Sequence, residues 1–215
     1  MSVRDFMRKN LIVVKPETPI FDAVDLMKQN DIHRLPVVNH GKLVGLITEG
    51  IIGAAMPSKA TSLSVYEMNY LLNKTTVADV MEKKVLTIEA DALLEDAIYK
   101  MRQNNVGVLP VMEAGHLVGI ITNNDIFDAF LKITGYNNGG TRVGVQIAED
   151  HQGILAEICR LLADSELSIL TIVVNRMELV TNVEIQVESR NTEKIRQVLT
   201  AGGYLVTDVV LTNPK

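Results

Sequence analysis

Short apolar runs alternate with polar breaks along this chain, and the alternation repeats itself. LPVVNHGKLVGLIT (35–48) and LPVMEAGHLVGIIT (109–122) each read as two apolar strands joined at a turn that Gly41 or Gly115 supplies. Pro36 and Pro110 push the preceding leucine toward extended geometry and suit a strand's first residue. Ahead of each hairpin, Ala23, Val24 and Met27, matched by Ala97, Ile98 and Met101, fall at i, i+1 and i+4 and predict a helix. Earlier still, VRDFM and VADVM read as helix-like pieces and LIVVKPET and VLTIEADA as extended segments. A second helix is expected after each hairpin.

Laying residues 3–52 over 77–126 needs no gap and leaves 19 of 50 positions identical, among them Asp5/Asp79, Met7/Met81, Gly45/Gly119 and Thr48/Thr122. Gly45 and Gly119, inside apolar strands, leave room for a backbone or a ligand to come close. A β-α-β-β-α unit of this size has an apolar face left over, so two copies are expected to pack around a pseudo-two-fold axis with clefts between them. The intervening segment, about 57–74, begins with loop chemistry and ends as an amphipathic helix bearing Val65, Met68, Leu71 and Leu72.

After FLKITGY, the run NNGGT reads as a flexible linker, placed at 135–141. A different pattern follows. RVGVQIA alternates, with Val143, Val145 and Ile147 on one face, and Asp150 is placed to cap a helix carrying Ile154, Leu155, Ile158, Leu161 and Leu162. LSILTIVVNR and TNVEIQVES read as strands, TEKIRQVLTAGG as a helix ended by Gly202 and Gly203, and YLVTDVVL as a last strand. The expected fold class is therefore α/β (α+β): a repeat pair over 1–134 (about 1–56 and 75–134 flanking the insert) and a βαββαβ domain over 142–215.

Composition narrows the function. A net charge of −5 without a long Lys/Arg block argues against nucleic acid or anionic membrane as the main partner. No run of about 18 apolar residues and no secretory signal is present at the N-terminus read here, so a cytoplasmic location is expected. Cys159 sits among apolar neighbours and reads as a core residue, and the four histidines show no metal-ligand spacing. No nucleophile with a base or paired carboxylates can be named, and NNGGT lacks the lysine and spacing of a Walker loop, so catalysis is not expected.

The ordered motifs V-x-D-x-M, LPV and G-x-LVG-x-IT, each present twice over residues 3–130, resemble the CBS domain family. In that family a pair forms a Bateman module whose clefts bind adenosyl ligands such as AMP, ADP, ATP or S-adenosylmethionine. Thr122 and Asp125 are spaced for a capping box. The resemblance implies a further role, with the Asp125 carboxylate accepting from a ribose while a helix N-terminus offers N–H groups to phosphate. It places Asn10, Leu11, Ile12, Ile32 and His33 around adenine in that cleft. A second cleft would use Thr48, Lys84, Val85, Leu86 and Val106, with His33 and Arg34 available to phosphate, but Ile51 stands where the other copy has Asp125. The counterparts of His33 and Arg34 are the uncharged Gly107 and Val108, so two unequal clefts are expected.

The βαββαβ order with D-x-x-G-I-L at its first strand-to-helix turn resembles an ACT domain, which implies amino-acid binding near Asp150, Gly153, Ile154 and Leu155. The combination resembles a group of regulatory proteins linked to acetoin utilisation and acetyl-coenzyme A. It implies a homodimer acting on an unidentified regulated protein. A ligand-independent interaction scaffold and an enzyme are the alternatives.

Overall fold

The structure is a computed structural model and describes residues 1–55, 74–177 and 180–213. The expected insert helix, with Val65, Met68, Leu71 and Leu72, lies outside the described residues. The chain divides into two compact units, Met1–Ile126 and Phe127–Lys215.

In the first unit, each repeat builds one helix, one hairpin and a second helix, as the periodicity predicts. Helix α1 (Ile20–Gln29) precedes β1 (Arg34–Asn39) and β2 (Lys42–Thr48), and α2 (Glu49–Ala55) follows. The second copy has α3 (Val77–Val80), β3 (Ile88–Glu89), α4 (Leu94–Asn104), β4 (Val108–Glu113) and β5 (His116–Thr122), then α5 (Asn123–Ile133), which runs across the division between units. Ala23, Met27, Ala97 and Met101 are all buried, so the apolar stripe of each first helix faces a core. At the hairpin tips His40 and Gly41 have φ of 48° and 76°, and Ala114 and Gly115 48° and 79°. Positive φ at both central residues is the primed-turn pattern whose twist matches the strands.

Pro36 and Pro110 stand third in their strands, not first as expected. The pairing explains why. Pro36 faces Leu46, and Leu46 spends its N–H and C=O on Glu82 (2.9 and 2.9 Å), so no ladder bond runs between the two. The proline ring nitrogen then faces the other edge, where Pro36 O accepts from Val14 N at 3.0 Å and no donor is required.

The two repeats exchange their opening segments. The 3-10 turn Val3–Asp5 of the first repeat bonds to the second, with Val3 N donating to Ala92 O and Arg4 N to Ala90 O. Reciprocally, Val77 N and Ala78 N of α3 donate to Thr18 O and Pro16 O of the first repeat. Each opening turn carries a capping box, Ser2 with Asp5 and Thr76 with Asp79, which is what the shared Asp5/Asp79 position does locally. The repeated glycines serve the same exchange. A Cβ on Gly45 would collide with the Met81 sulfur and stand 3.2 Å from Glu82 O, and one on Gly119 would meet Met7 and Arg8 O in the same way.

The second unit contains β6 (Gly140–Ile147), α6 (Ile154–Asp164), β7 (Ile169–Arg176), β8 (Thr181–Val187), α7 (Thr192–Ala201) and β9 (Leu205–Thr212). Its antiparallel sheet has the order β7-β8-β6-β9. Val143, Val145 and Ile147 line one face and pack with Ile158, Leu162, Ile195 and Leu199 of the two helices. Two expectations change. Part of the stretch read as a flexible linker is ordered: residues 136–138 form a 3-10 turn, β6 begins at Gly140, and buried Gln186 donates to Gly139 O at 2.6 Å. Asp150 does not cap α6, because the N-cap is Gly153 at φ +101°, a conformation glycine supplies without strain.

Candidate functional site

Asp125 is the third residue of α5. The Thr122 N–H and hydroxyl donate to its Oδ2 at 2.8 and 2.6 Å, which forms the expected capping box. Its Oδ1 accepts from Arg8 Nε at 2.7 Å, a contact that brings the two repeats together. The aspartate side chain is only 6% exposed and the arginine 55% exposed. A carboxylate so buried requires fixed donors and a counter-charge, and both are supplied here.

Beside this pair lies a cavity of about 260 Å³ lined by Arg8, Asp31, Ile32, His33, Arg34, Ile120, Thr122 and Asn124. It joins the expected His33 and Ile32 of one repeat to Thr122 of the other. Asn10, Leu11, Ile12 and Asp125 are not among the described residues that line it, and Ile12 and Ile32 pack against the first repeat's core.

A second cavity, of about 470 Å³, is lined by His33, Arg34, Thr48, Glu49, Ile51, Glu82, Val106, Gly107 and Val108, together with Leu46 and Gly50. Most of its wall is the first cavity shifted by the repeat offset. Thr48 replaces Thr122, Glu82 replaces Arg8, and Val106 to Val108 replace Ile32 to Arg34. Lys84, Val85 and Leu86, expected here, are not among its described lining residues. Thr48 Oγ1 accepts from Ile51 N at 3.2 Å, so the threonine caps α2 without an acid to complete a box.

His33 and Arg34 border both cavities, and His33 Nδ1 pairs with Glu49 Oε2 at 2.9 Å. Gly107 leaves space beside Arg34: a Cβ there would stand 3.2 Å from Arg34 Nη2 and 3.1 Å from Asn123 Nδ2. Sequence reasoning missed Arg8 and Glu82. The signal was available, since each directly follows an Asp-x-Met motif and the two have opposite charge at matched positions.

In the second unit, Ile154 is buried and Leu155 packs against the same core, on the turn that Gly153 forms. Asp150 Oδ2 accepts from Arg176 Nε at 3.1 Å. On the sheet face away from the helices, burial and the neighbouring Asp208 raise the Glu184 carboxyl above its ordinary value. No helix among the described residues is long and apolar enough to cross a membrane, and none of their His, Cys, Asp and Glu side chains group in threes to hold a metal.

Fold and clefts together define a paired-repeat module that can hold a small ligand at its seam. The chain belongs to the CBS domain family, whose pattern matches residues 3–54 and 77–132. Three of the similar solved structures bear on the clefts. One, from Vibrio cholerae, is provisionally designated acetoin utilization protein AcuB; it is 27% identical with a TM-score of 0.53, and the match covers 61% of this chain and 91% of that one. CBSX2, solved in complex with AMP, is 32% identical with a TM-score of 0.51, over 61% of this chain and 97% of that one. The CBS domain pair of protein MJ0100, in complex with 5′-methylthioadenosine and S-adenosyl-L-methionine, is 30% identical with a TM-score of 0.50, over 60% and 95%.

Proposed function

We propose that this protein is a non-catalytic regulatory sensor that binds an adenosyl ligand, among AMP, ADP, ATP and S-adenosylmethionine, in the cleft beside Thr122. The Arg8–Asp125 pair carries the reading. Thr122 holds Oδ2 with two hydrogen bonds, while Oδ1 takes its hydrogen bond from Arg8, whose side chain is 55% exposed. Two vicinal ribose hydroxyls can take the place of Arg8 on that oxygen, and the released guanidinium joins Arg34 and His33 as a phosphate partner. A charged hydrogen bond of this kind contributes about 1.5–3 kcal/mol, roughly 10- to 150-fold in affinity. Adenine is assigned to the side of Asn10, Leu11, Ile12 and Ile32. Lys84, Val85 and Leu86 have the same role in the Thr48 cleft, beside Val106, Gly107 and Val108. The adenosyl ligands held by CBSX2 and by the MJ0100 pair support this class.

Binding becomes signalling only if the ligand prefers one arrangement of the pair, by about 5.5 kcal/mol for a near-complete switch. The exchanged opening segments form a suitable element, since each is anchored on the opposite repeat. The second unit is read as a ferredoxin-like ACT domain, on its βαββαβ order and sheet topology. Its amino-acid site would lie at Asp150, Gly153, Ile154 and Leu155, with Arg176 giving up Asp150 on binding. A cytoplasmic homodimer acting on a regulated protein, with an acetoin or acetyl-coenzyme A connection, completes the proposal.

Isothermal titration of AMP, ATP and S-adenosylmethionine into wild type and Asp125→Ala tests it. Wild-type binding weakened at least tenfold by the substitution is expected. No binding to wild type overturns the sensor reading in favour of a scaffold, and unchanged binding by the variant removes Asp125 from the site. Chromatography showing the bound ligand consumed rather than intact would make the protein an enzyme.

A further inference from the structure

The geometry points to the Thr48 cleft as a site for a nucleoside that carries no phosphate, with its ribose diol held by Glu82. This rests on the reading of the module as an adenosyl-binding pair and adds which ligand each cleft takes. The two clefts share a backbone frame. Arg8 N and O bond to Ile120 at 2.9 and 3.0 Å, and Glu82 N and O bond to Leu46 at 2.9 and 2.9 Å, so residues 8 and 82 are bridged to matched points of β5 and β2. From its point Arg8 reaches Asp125. From the other, Glu82 borders a cavity where Ile51 offers no acid. The carboxylate has changed sides of the cleft rather than disappeared.

Glu82 is also held and available. Its Oε1 accepts from Lys84 N at 2.8 Å, which orients the group, and Oε2 has no hydrogen-bond partner among the described residues. A free carboxylate oxygen accepts from a hydroxyl pair as Asp125 Oδ1 would once Arg8 has moved away, but with no cation to displace first.

The charge around each cavity selects the rest of the ligand. Two arginines and one aspartate border the Thr122 cavity, with Asp125 paired to one of those arginines, whereas one arginine and two glutamates border the Thr48 cavity. His33 touches both, and in the Thr48 cavity it is paired with Glu49. A phosphate placed between Glu49 and Glu82 would meet like charge on two sides, while a neutral thioether or a cationic sulfonium at the 5′ position would not. The apolar wall of Leu46, Ile51, Val106 and Val108 suits such a group.

Isothermal titration of 5′-methylthioadenosine and of AMP into wild type, Glu82→Gln and Glu82→Arg tests this, with circular dichroism to check folding. Wild type should bind methylthioadenosine, Glu82→Gln should weaken it about tenfold or more relative to AMP, and Glu82→Arg should reverse the preference toward AMP. Binding of AMP without binding of methylthioadenosine overturns this inference alone, as does a methylthioadenosine-to-AMP affinity ratio that neither substitution moves. Absence of binding by both compounds overturns the underlying reading as well.

Discussion

Arg8 Nε lies 2.7 Å from Asp125 Oδ1, although 117 positions separate the two residues. The contact links the start of one repeat to the second helix of the other. Asp125→Ala should cost about 1 kcal/mol of stability through the lost cap, measured by thermal denaturation, in addition to the affinity loss described above. Arg8→Ala should cost about 1–3 kcal/mol of stability, because it leaves the Asp125 carboxylate, 6% exposed, without its counter-charge, and it should weaken AMP more than adenosine.

Gly45 and Gly119 give the second prediction. Their missing side chains admit Met81 and Met7 from the opposite repeat, and an added Cβ would displace those methionines and press on Glu82 O or Arg8 O, which the backbone bridges hold in place. Gly45→Ala and Gly119→Ala should each destabilise the first unit by about 1–3 kcal/mol, read as a lowered Tm.

Acid should loosen the exchanged segments. The Thr76 backbone N–H, and then its hydroxyl, hold the Asp79 carboxyl below its ordinary 3.8. A carboxylate depressed in the folded state stabilises above its unfolded pKa and loses that contribution as pH falls through the folded value. Asp79→Asn should therefore lower Tm at pH 7, and the difference from wild type should close in a Tm series taken downward from pH 4. Glu113, held below 4.5 by hydrogen bonding and charge from Arg4, should behave the same way.

Glu184 has the opposite sign. Burial first, and the Asp208 charge second, raise its carboxyl above 4.5, so ionising it costs stability once the pH exceeds the unfolded pKa. Glu184→Gln should raise the Tm of the second unit at pH 7 and give no advantage below about pH 4.

An amino acid at the Gly153 turn would add about 2.7 kcal/mol at 100 times its dissociation constant. A thermal-shift screen of the common amino acids should find at least one that raises Tm. Arg176→Ala, which frees Asp150, should change the size of that shift.

Much of the local structure was legible in the chain. The stripe Ala23–Met27 and its copy Ala97–Met101 marked helices that do bury those residues, and the spacing of Thr122 and Asp125 foretold their cap. These readings succeed because helical period and cap spacing involve residues within one or two turns of each other. Pro36 was misplaced because its place in the strand depends on residues far away in sequence, Val14 and Glu82, and Asp150 because Gly153 takes a left-handed conformation and starts the helix after it.

By itself, the sequence determined that there are two homologous halves, that each is helix, hairpin and helix, and that a differently patterned segment follows; periodicity and identity at an offset of 74 suffice for that. Only the tertiary structure decided that the halves trade their opening turns, that Arg8 covers the aspartate, and that Glu82 stands where a cation stands in the other cleft. A side chain's neighbours across a seam follow from which strand edges hydrogen-bond to which. Here those bonds join residues 36 to 112 positions apart, beyond the reach of any local pattern.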